Sequence, residues 1–115
     1  MSHELLRAMF KAIDDRQFDR LPEFFHRDIV YERPGYEPLV GLAAVMHFYR
    51  EVRVLGSGRH GFDAIVMDGD NGACWGRWVG FKKDGTLIDL EFADGYTFAD
   101  GKLKHRKSFF FTPLA

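Results

Sequence analysis

The run Leu87-Ile88-Asp89-Leu90-Glu91-Phe92-Ala93-Asp94-Gly95-Tyr96-Thr97-Phe98 alternates with a period of two. One parity carries Ile88, Leu90, Phe92, Asp94, Tyr96 and Phe98; the other carries Leu87, Asp89, Glu91, Ala93 and Gly95. Side chains alternate across a sheet, so the first set marks a core face and the second a wetter one. Asp89 and Glu91 are then surface carboxylates. Asp94 is not, because its neighbours on that face are apolar or aromatic. A bulge near Gly95 would reverse this parity.

Turn signals bracket this strand and recur before it. Asp68-Gly69-Asp70-Asn71-Gly72, Asp84-Gly85 and Asp100-Gly101 each lie between β-rich runs, which predicts a four-strand meander over about 59–67, 73–82, 86–98 and 102–111. Ahead of Gly56-Ser57-Gly58 the period is 3.6 instead. Leu5, Ala8, Met9, Ala12 and Ile13 predict an amphipathic helix over about 3–15. Asp19 can cap a second, short helix with Pro22 in its first turn, burying Leu21, Phe24 and Phe25. Asp28-Ile29-Val30-Tyr31-Glu32-Arg33 reads as a short strand stopped by Pro34-Gly35. A third helix starts at Gly41 and buries Leu42, Val45, Met46, Tyr49 and Val52, with His47, Arg50 and Glu51 on the opposite face. The fold class is α+β: a helical front half, then a curved antiparallel sheet enclosing a mostly apolar pocket.

Composition narrows the function. The 115 residues, 46% hydrophobic and 29% charged, suit one globular domain spanning 1–115. Twelve Phe dominate a 16% aromatic share, which calls for a lined cavity or a buried subunit interface. Net charge is -1 with no basic stripe, so nucleic acid is not an expected partner. The single cysteine, Cys74, leaves no internal disulfide and no cysteine-based zinc set, and no metal site is expected. No apolar run reaches the roughly 18 residues of a membrane span, and Met1-Ser2-His3-Glu4 has no signal-peptide pattern. The expected location is the cytoplasm, with no membrane partner. Trp75 and Trp78 differ in parity, as do Phe109 and Phe110, so both sheet faces carry rings and both need a cover. Helices can cover one. A second copy of the chain, forming a homodimer through the outer sheet face, is expected on the other.

The order of three helices, a short strand after the second, and a long curved meander resembles the nuclear transport factor 2-like superfamily. Within it the chain is similar to the SnoaL-like polyketide cyclases and ketosteroid isomerase-like proteins. The segments that carry the likeness are Phe18-Asp19-Arg20-Leu21 through Phe24-Phe25-His26-Arg27-Asp28, and Val30-Tyr31-Glu32-Arg33-Pro34-Gly35. They continue with Gly41-Leu42-Ala43-Ala44-Val45 through Phe48-Tyr49, then Phe92-Ala93-Asp94-Gly95-Tyr96-Thr97-Phe98 and Asp100-Gly101-Lys102-Leu103. The resemblance implies a cone-shaped, strongly curved mixed or antiparallel sheet with three helices packed on its concave side. It also implies cofactor-independent chemistry, although this fold hosts several reactions and non-enzymatic binders.

Two positions carry over. Glu32 falls where ketosteroid isomerase-like proteins place their general base, and Asp94 where they place the carboxylic acid that donates to the oxyanion. Met9, with Phe10 beside it, stands where the oxyanion tyrosine lies on the first helix. Neither donates a hydrogen bond, and losing one oxyanion donor typically costs about 100- to 1000-fold. The last-strand carboxylate of epoxide hydrolase-like relatives would fall near Ser108.

The expected function is a small-molecule enzyme acting on an apolar or aromatic carbonyl compound by isomerisation, cyclisation or dehydration. Glu32 would be the base, and Asp94 an acid, an oxyanion donor, or a buried carboxylate satisfied by His60, His105 or an arginine. His60 shares parity with Phe62, Ala64 and Val66, so it points inward, either towards Asp94 or a substrate oxygen or as a satisfied core histidine. Tyr96, Trp78, Phe92, Met9 and Tyr49 are the expected substrate-binding wall. Arg53 and Arg77 are further candidates; Arg77 can clamp an anion, stack on a ring or pair across a dimer. The alternative is a non-catalytic binding or dimeric interaction module on the same fold.

Overall fold

In the computed structural model, which describes residues 2–111, one six-stranded sheet curves around helices packed on its concave face. The expected domain limits, 1 and 115, lie outside the described residues. Helix α1 (Ser2–Asp14) buries Leu6, Met9, Phe10, Ala12 and Ile13. That stripe is turned slightly from the expected one, because Phe10 faces Phe62 and Phe92 while Leu5 and Ala8 sit at its half-buried rim. A 3-10 helix (Phe18–Glu23) follows and ends sooner than expected. Phe25 opens strand β1 (Phe25–Glu32) and pairs with Leu103, so the first strand starts three residues before Asp28.

After the two-residue strand β2 (Leu39–Val40), helix α2 (Leu42–His47) widens into a π-helical turn over Phe48–Val52. The wider turn changes which residues face inward. Phe48 and Tyr49 are both buried, whereas Val52, expected inside, is exposed. Directly beyond it, Arg53 is buried.

Strands β3 (Leu55–Asp68), β4 (Asn71–Lys82), β5 (Leu87–Ala99) and β6 (Lys102–Phe110) form the meander. The order across the sheet is β2-β1-β6-β5-β4-β3, with β1 and β6 parallel and the other neighbours antiparallel, so the sheet is mixed. On β5 the predicted face holds: Ile88, Leu90, Phe92, Asp94, Tyr96 and Phe98 are all buried, and Gly95 pairs in register on both sides. Irregularities occur elsewhere. β3 shifts register between Phe62 and Ala64, so His60 and Phe62 face inward but Ala64 and Val66 lie on the outer face beside Trp75 and Ala73. β6 shifts against β5 between Thr97 and Phe98, which lets Leu103 and Arg106 both point inward.

Gly56-Ser57-Gly58, a predicted break, lies inside β3. A Cβ on Gly58 would stand 2.3 Å from the Trp78 indole, and one on Gly80 would stand 2.3 Å from the Ser57 carbonyl oxygen. These glycines let β3, β4 and the Trp78 ring approach closely, and Trp78 is thereby held inside. Among the described residues no helix is long and apolar enough to cross a membrane.

Candidate functional site

Inside the cone the strands leave a narrow cavity of about 20 Å³, room for about one water. It is not the mostly apolar pocket expected. Three arginines, Arg33, Arg53 and Arg106, line it with Asp94 and His60; Trp78, Leu90, Phe92 and Phe110 supply apolar wall. All three arginines and Asp94 are buried.

Asp94 is an acceptor on every side. Arg106 Nε donates to Oδ2 at 3.0 Å, the Tyr96 hydroxyl to Oδ2 at 2.8 Å and the Ser108 hydroxyl to Oδ1 at 2.6 Å. Ser108 therefore accepts from the Tyr31 hydroxyl at 3.0 Å, and Tyr31 in turn accepts from Arg33 Nη1 at 2.7 Å. On the other side the Cys74 thiol donates to Tyr96 at 3.1 Å; burial, then the charge of Asp94, pushes that thiol up to about 12. Of the three partners anticipated for Asp94, the structure supplies the arginine. This carboxylate anchors a network, with both oxygens engaged by protein donors.

His60 is held by a residue that sequence reasoning passed over. Asp14, at the end of α1, accepts from the His60 ring nitrogen Nδ1 at 2.6 Å and from its backbone N–H at 2.8 Å. Both side chains are nearly closed to solvent. A carboxylate accepts only, so the tautomer is Nδ1–H and the lone pair sits on Nε2, which has no hydrogen-bond partner among the described residues. Burial lowers the imidazole below its ordinary value; Asp14 pulls the other way, and the positive charges of Arg53 and Arg106 add to the lowering. The ring is neutral at neutral pH. It stacks its edges against Phe10 and Phe92, at centroid distances of 4.4 and 5.4 Å. It lines both the inner cavity and an open cleft of about 460 Å³ bounded by Arg7, Lys11 and Arg59.

The arginines differ in what satisfies them. Arg106 has Asp94 and also donates Nη1 to the Tyr49 hydroxyl at 2.8 Å, so despite burial it stays firmly charged. Arg33 reaches Tyr31 and lies over the Phe48 and Phe110 rings at 4.9 and 5.2 Å. Among the described residues Arg53 has ring faces alone, Tyr49 at 5.2 Å and Trp78 at 5.9 Å, and burial lowers it to about 10. The shared positive field shows on Tyr31. Burial alone would raise its phenol, yet Arg106 and Arg33 outweigh burial and the net shift is downward.

Glu32 lies apart from this cavity. It ends β1 on the outer sheet face, opposite Lys107, and its carboxylate bonds His105 Nε2 at 2.7 Å, with the two side chains 38% and 40% exposed. Glu32 and Asp94 therefore do not share a pocket, and the inward position at that strand end belongs to Arg33. Of the expected wall, Trp78 and Phe92 line the cavity. Tyr96 and Tyr49 lie in the surrounding hydrogen-bond network, and Met9 is packed in the core under α1. Arg77 bonds Asp89 at 2.6 Å and Glu91 at 2.7 Å on the outer face.

Among the described residues no group of three His, Cys, Asp or Glu side chains is placed to hold a metal ion. The same fold occurs in a crystal structure described as a SnoaL-like polyketide cyclase from Jannaschia sp. CCS1, with TM-score 0.82, 16% identity, and 94% of this chain and 83% of that one covered. It occurs in an LEH-like epoxide hydrolase of M. tuberculosis, with TM-score 0.80, 16% identity, and 93% and 80% coverage. TerC, crystallised with polyporic acid, gives TM-score 0.80 and 24% identity over 93% of this chain and 88% of its own. At such identities the likeness carries the fold alone. No functionally curated protein matches the chain. The model of the SnoaL-like domain matches residues 6–106, from α1 into β6, and the chain belongs to that family.

Proposed function

We propose that this chain is a cofactor-independent enzyme that abstracts a proton from carbon beside a carbonyl, with His60 as the base. One observation carries the reading: a buried imidazole clamped by Asp14 at 2.6 and 2.8 Å, with Nε2 left unbonded beside a cationic cavity. The proton moves from substrate carbon to Nε2, and Asp14 stabilises the imidazolium that forms. The enolate oxygen is met by guanidinium charge, which replaces the tyrosine donor missing at Met9. Return of the proton to another carbon gives isomerisation, attack of the enolate carbon gives cyclisation, and loss of a β-hydroxyl gives dehydration. Asp94 takes no proton in this scheme; it fixes Arg106. Glu32 has no part in it. The proposed substrate is a small carbonyl compound, and the proposed assembly is a homodimer through the outer sheet face.

The small cavity and the fully bonded Asp94 favour a second reading, a binding module without turnover. Exchange of α-protons separates the two without knowledge of the product. Cyclic and aromatic ketones, with and without a carboxylate, are incubated with protein in D2O and their α-proton NMR signals followed. His60→Asn keeps a donor for Asp14 and deletes Nε2, so exchange should slow by about 100- to 10,000-fold while the fold survives. Exchange unchanged in that variant removes His60 as base. No exchange by the wild type on any ketone leaves the binding module.

A further inference from the structure

We infer that the inner cavity is a carboxylate-binding site, with Arg53 as the counter-ion of the ligand. It rests on the same cavity as the proposed enzyme but not on turnover there. The buried charged groups include three arginines, Arg33, Arg53 and Arg106, and one carboxylate, Asp94. All four line a single cavity. Asp94 is spoken for, because Arg106 binds it directly and two hydroxyls complete its shell. Arg53 therefore brings to the cavity a positive charge that Asp94 does not offset.

Arg53 is the decisive residue. It is 3% exposed, and its guanidinium donates to no acceptor among the described residues; Nε is fully buried and unbonded. Among the described residues its partners are the ring faces of Tyr49 and Trp78. A buried charge without an acceptor is expensive, and one water in a cavity of about 20 Å³ cannot neutralise it. A carboxylate can: its two oxygens match the planar fork of a guanidinium. The rest of the wall suits a short apolar or aromatic body behind that carboxylate. Trp78, Leu90 and Phe92 are fixed in the sheet, and Phe110, half-buried at the end of β6, is the side chain a ligand larger than a water can displace. The cleft that shares His60 with the cavity carries Arg7, Lys11 and Arg59, the same sign of charge. The ligand class is a small monocarboxylate.

The test pairs acids with their neutral amides. Acetate and benzoate, against acetamide and benzamide, are titrated into the full chain at neutral pH and fixed ionic strength, with melting temperature and heat of binding as readouts. Each acid should bind and raise the melting temperature, and its amide should not. Arg53→Met should weaken the acid by about 10- to 100-fold, the loss expected for a charge-assisted hydrogen-bonded contact. Arg77→Met, on the outer face, should bind as the wild type does. If acids and amides behave alike, or Arg53→Met binds the acids undiminished, the inference is wrong. The acid–amide comparison needs no variant, so it decides even if Arg53→Met does not fold. Carboxylate binding alongside unaltered α-proton exchange in His60→Asn would sink the base assignment and leave this one standing; the reverse pattern would sink this one alone.

Discussion

The chemistry of the site reduces to one neutral imidazole in a positive surrounding, and its pH behaviour follows. Burial sets the folded pKa of His60 below the ordinary 6.5, so the unfolded chain binds more protons than the native one as pH falls through 6.5. Stability from this residue is complete above 6.5 and is lost as pH falls towards and through the lowered native value. Thermal melts between pH 8 and 5 should therefore show a decline beginning near 6.5 that His60→Asn flattens. A wild-type profile that instead rises on acidification would mean a raised pKa, with Asp14 winning over burial. The same lowering keeps Nε2 free as a base through neutral pH. Asp14, which sets the tautomer, was legible only as the last polar residue of a helix. Nothing in its spacing to His60 announces a contact 46 residues away.

Elements were read best where period and turn chemistry agreed. β5 was recovered with its buried face because its pairing with β4 runs without a shift and its pairing with β6 shifts only past Thr97, and Asp94 stood out on it for the same reason. Residues past an irregularity were hidden. Arg106 shares parity with Ser108 and Phe110 but not with Leu103, since β6 shifts register between them; Arg53 follows a π-helical turn that a 3.6-residue period cannot anticipate. Glu32 was named from the family resemblance alone, and strand alternation puts it on the face opposite the buried Tyr31. The glycines Gly56 and Gly58 of β3 were read as the boundary before the sheet, whereas with Gly80 of β4 they mark close packing, and that distinction is measurable. Gly80→Ala puts a Cβ 2.3 Å from the Ser57 carbonyl oxygen and 2.9 Å from the Trp78 ring, so it should destabilise by about 3 kcal/mol in urea melts. Gly95→Ala, with nothing within 4 Å of its Cβ, should be neutral or stabilise by about 0.5 kcal/mol. Equal effects at the two positions would refute the role given to Gly80 in seating Trp78.

The whole molecule leaves one sheet face without a cover. Across it run Ala64, Trp75, Ala93 and Phe109 in one row, with Val79, Phe81 and Leu87 further along β4 and β5. Trp75, Val79, Phe81, Leu87 and Phe109 are 44%, 45%, 48%, 66% and 52% exposed, so large apolar side chains face outward on this side of the sheet. Between the two apolar zones, Arg77 bridges Asp89 and Glu91, a charged row that a two-fold axis would set against its own copy. This face supports the proposed homodimer, since a stable interface needs about 1,200–2,000 Å² in total and the apolar rows run over four strands. Trp75→Glu tests it with little risk to the fold, because the core indole is Trp78 on the opposite face. Sedimentation velocity should show a dimer for the wild type and a shift to monomer for the variant, with both melting cooperatively. A monomeric wild type at micromolar concentration would end the dimer reading. Because the arginine cavity is walled by Trp78, on the sheet face opposite Trp75, carboxylate binding should be the same in the Trp75→Glu monomer as in the dimer.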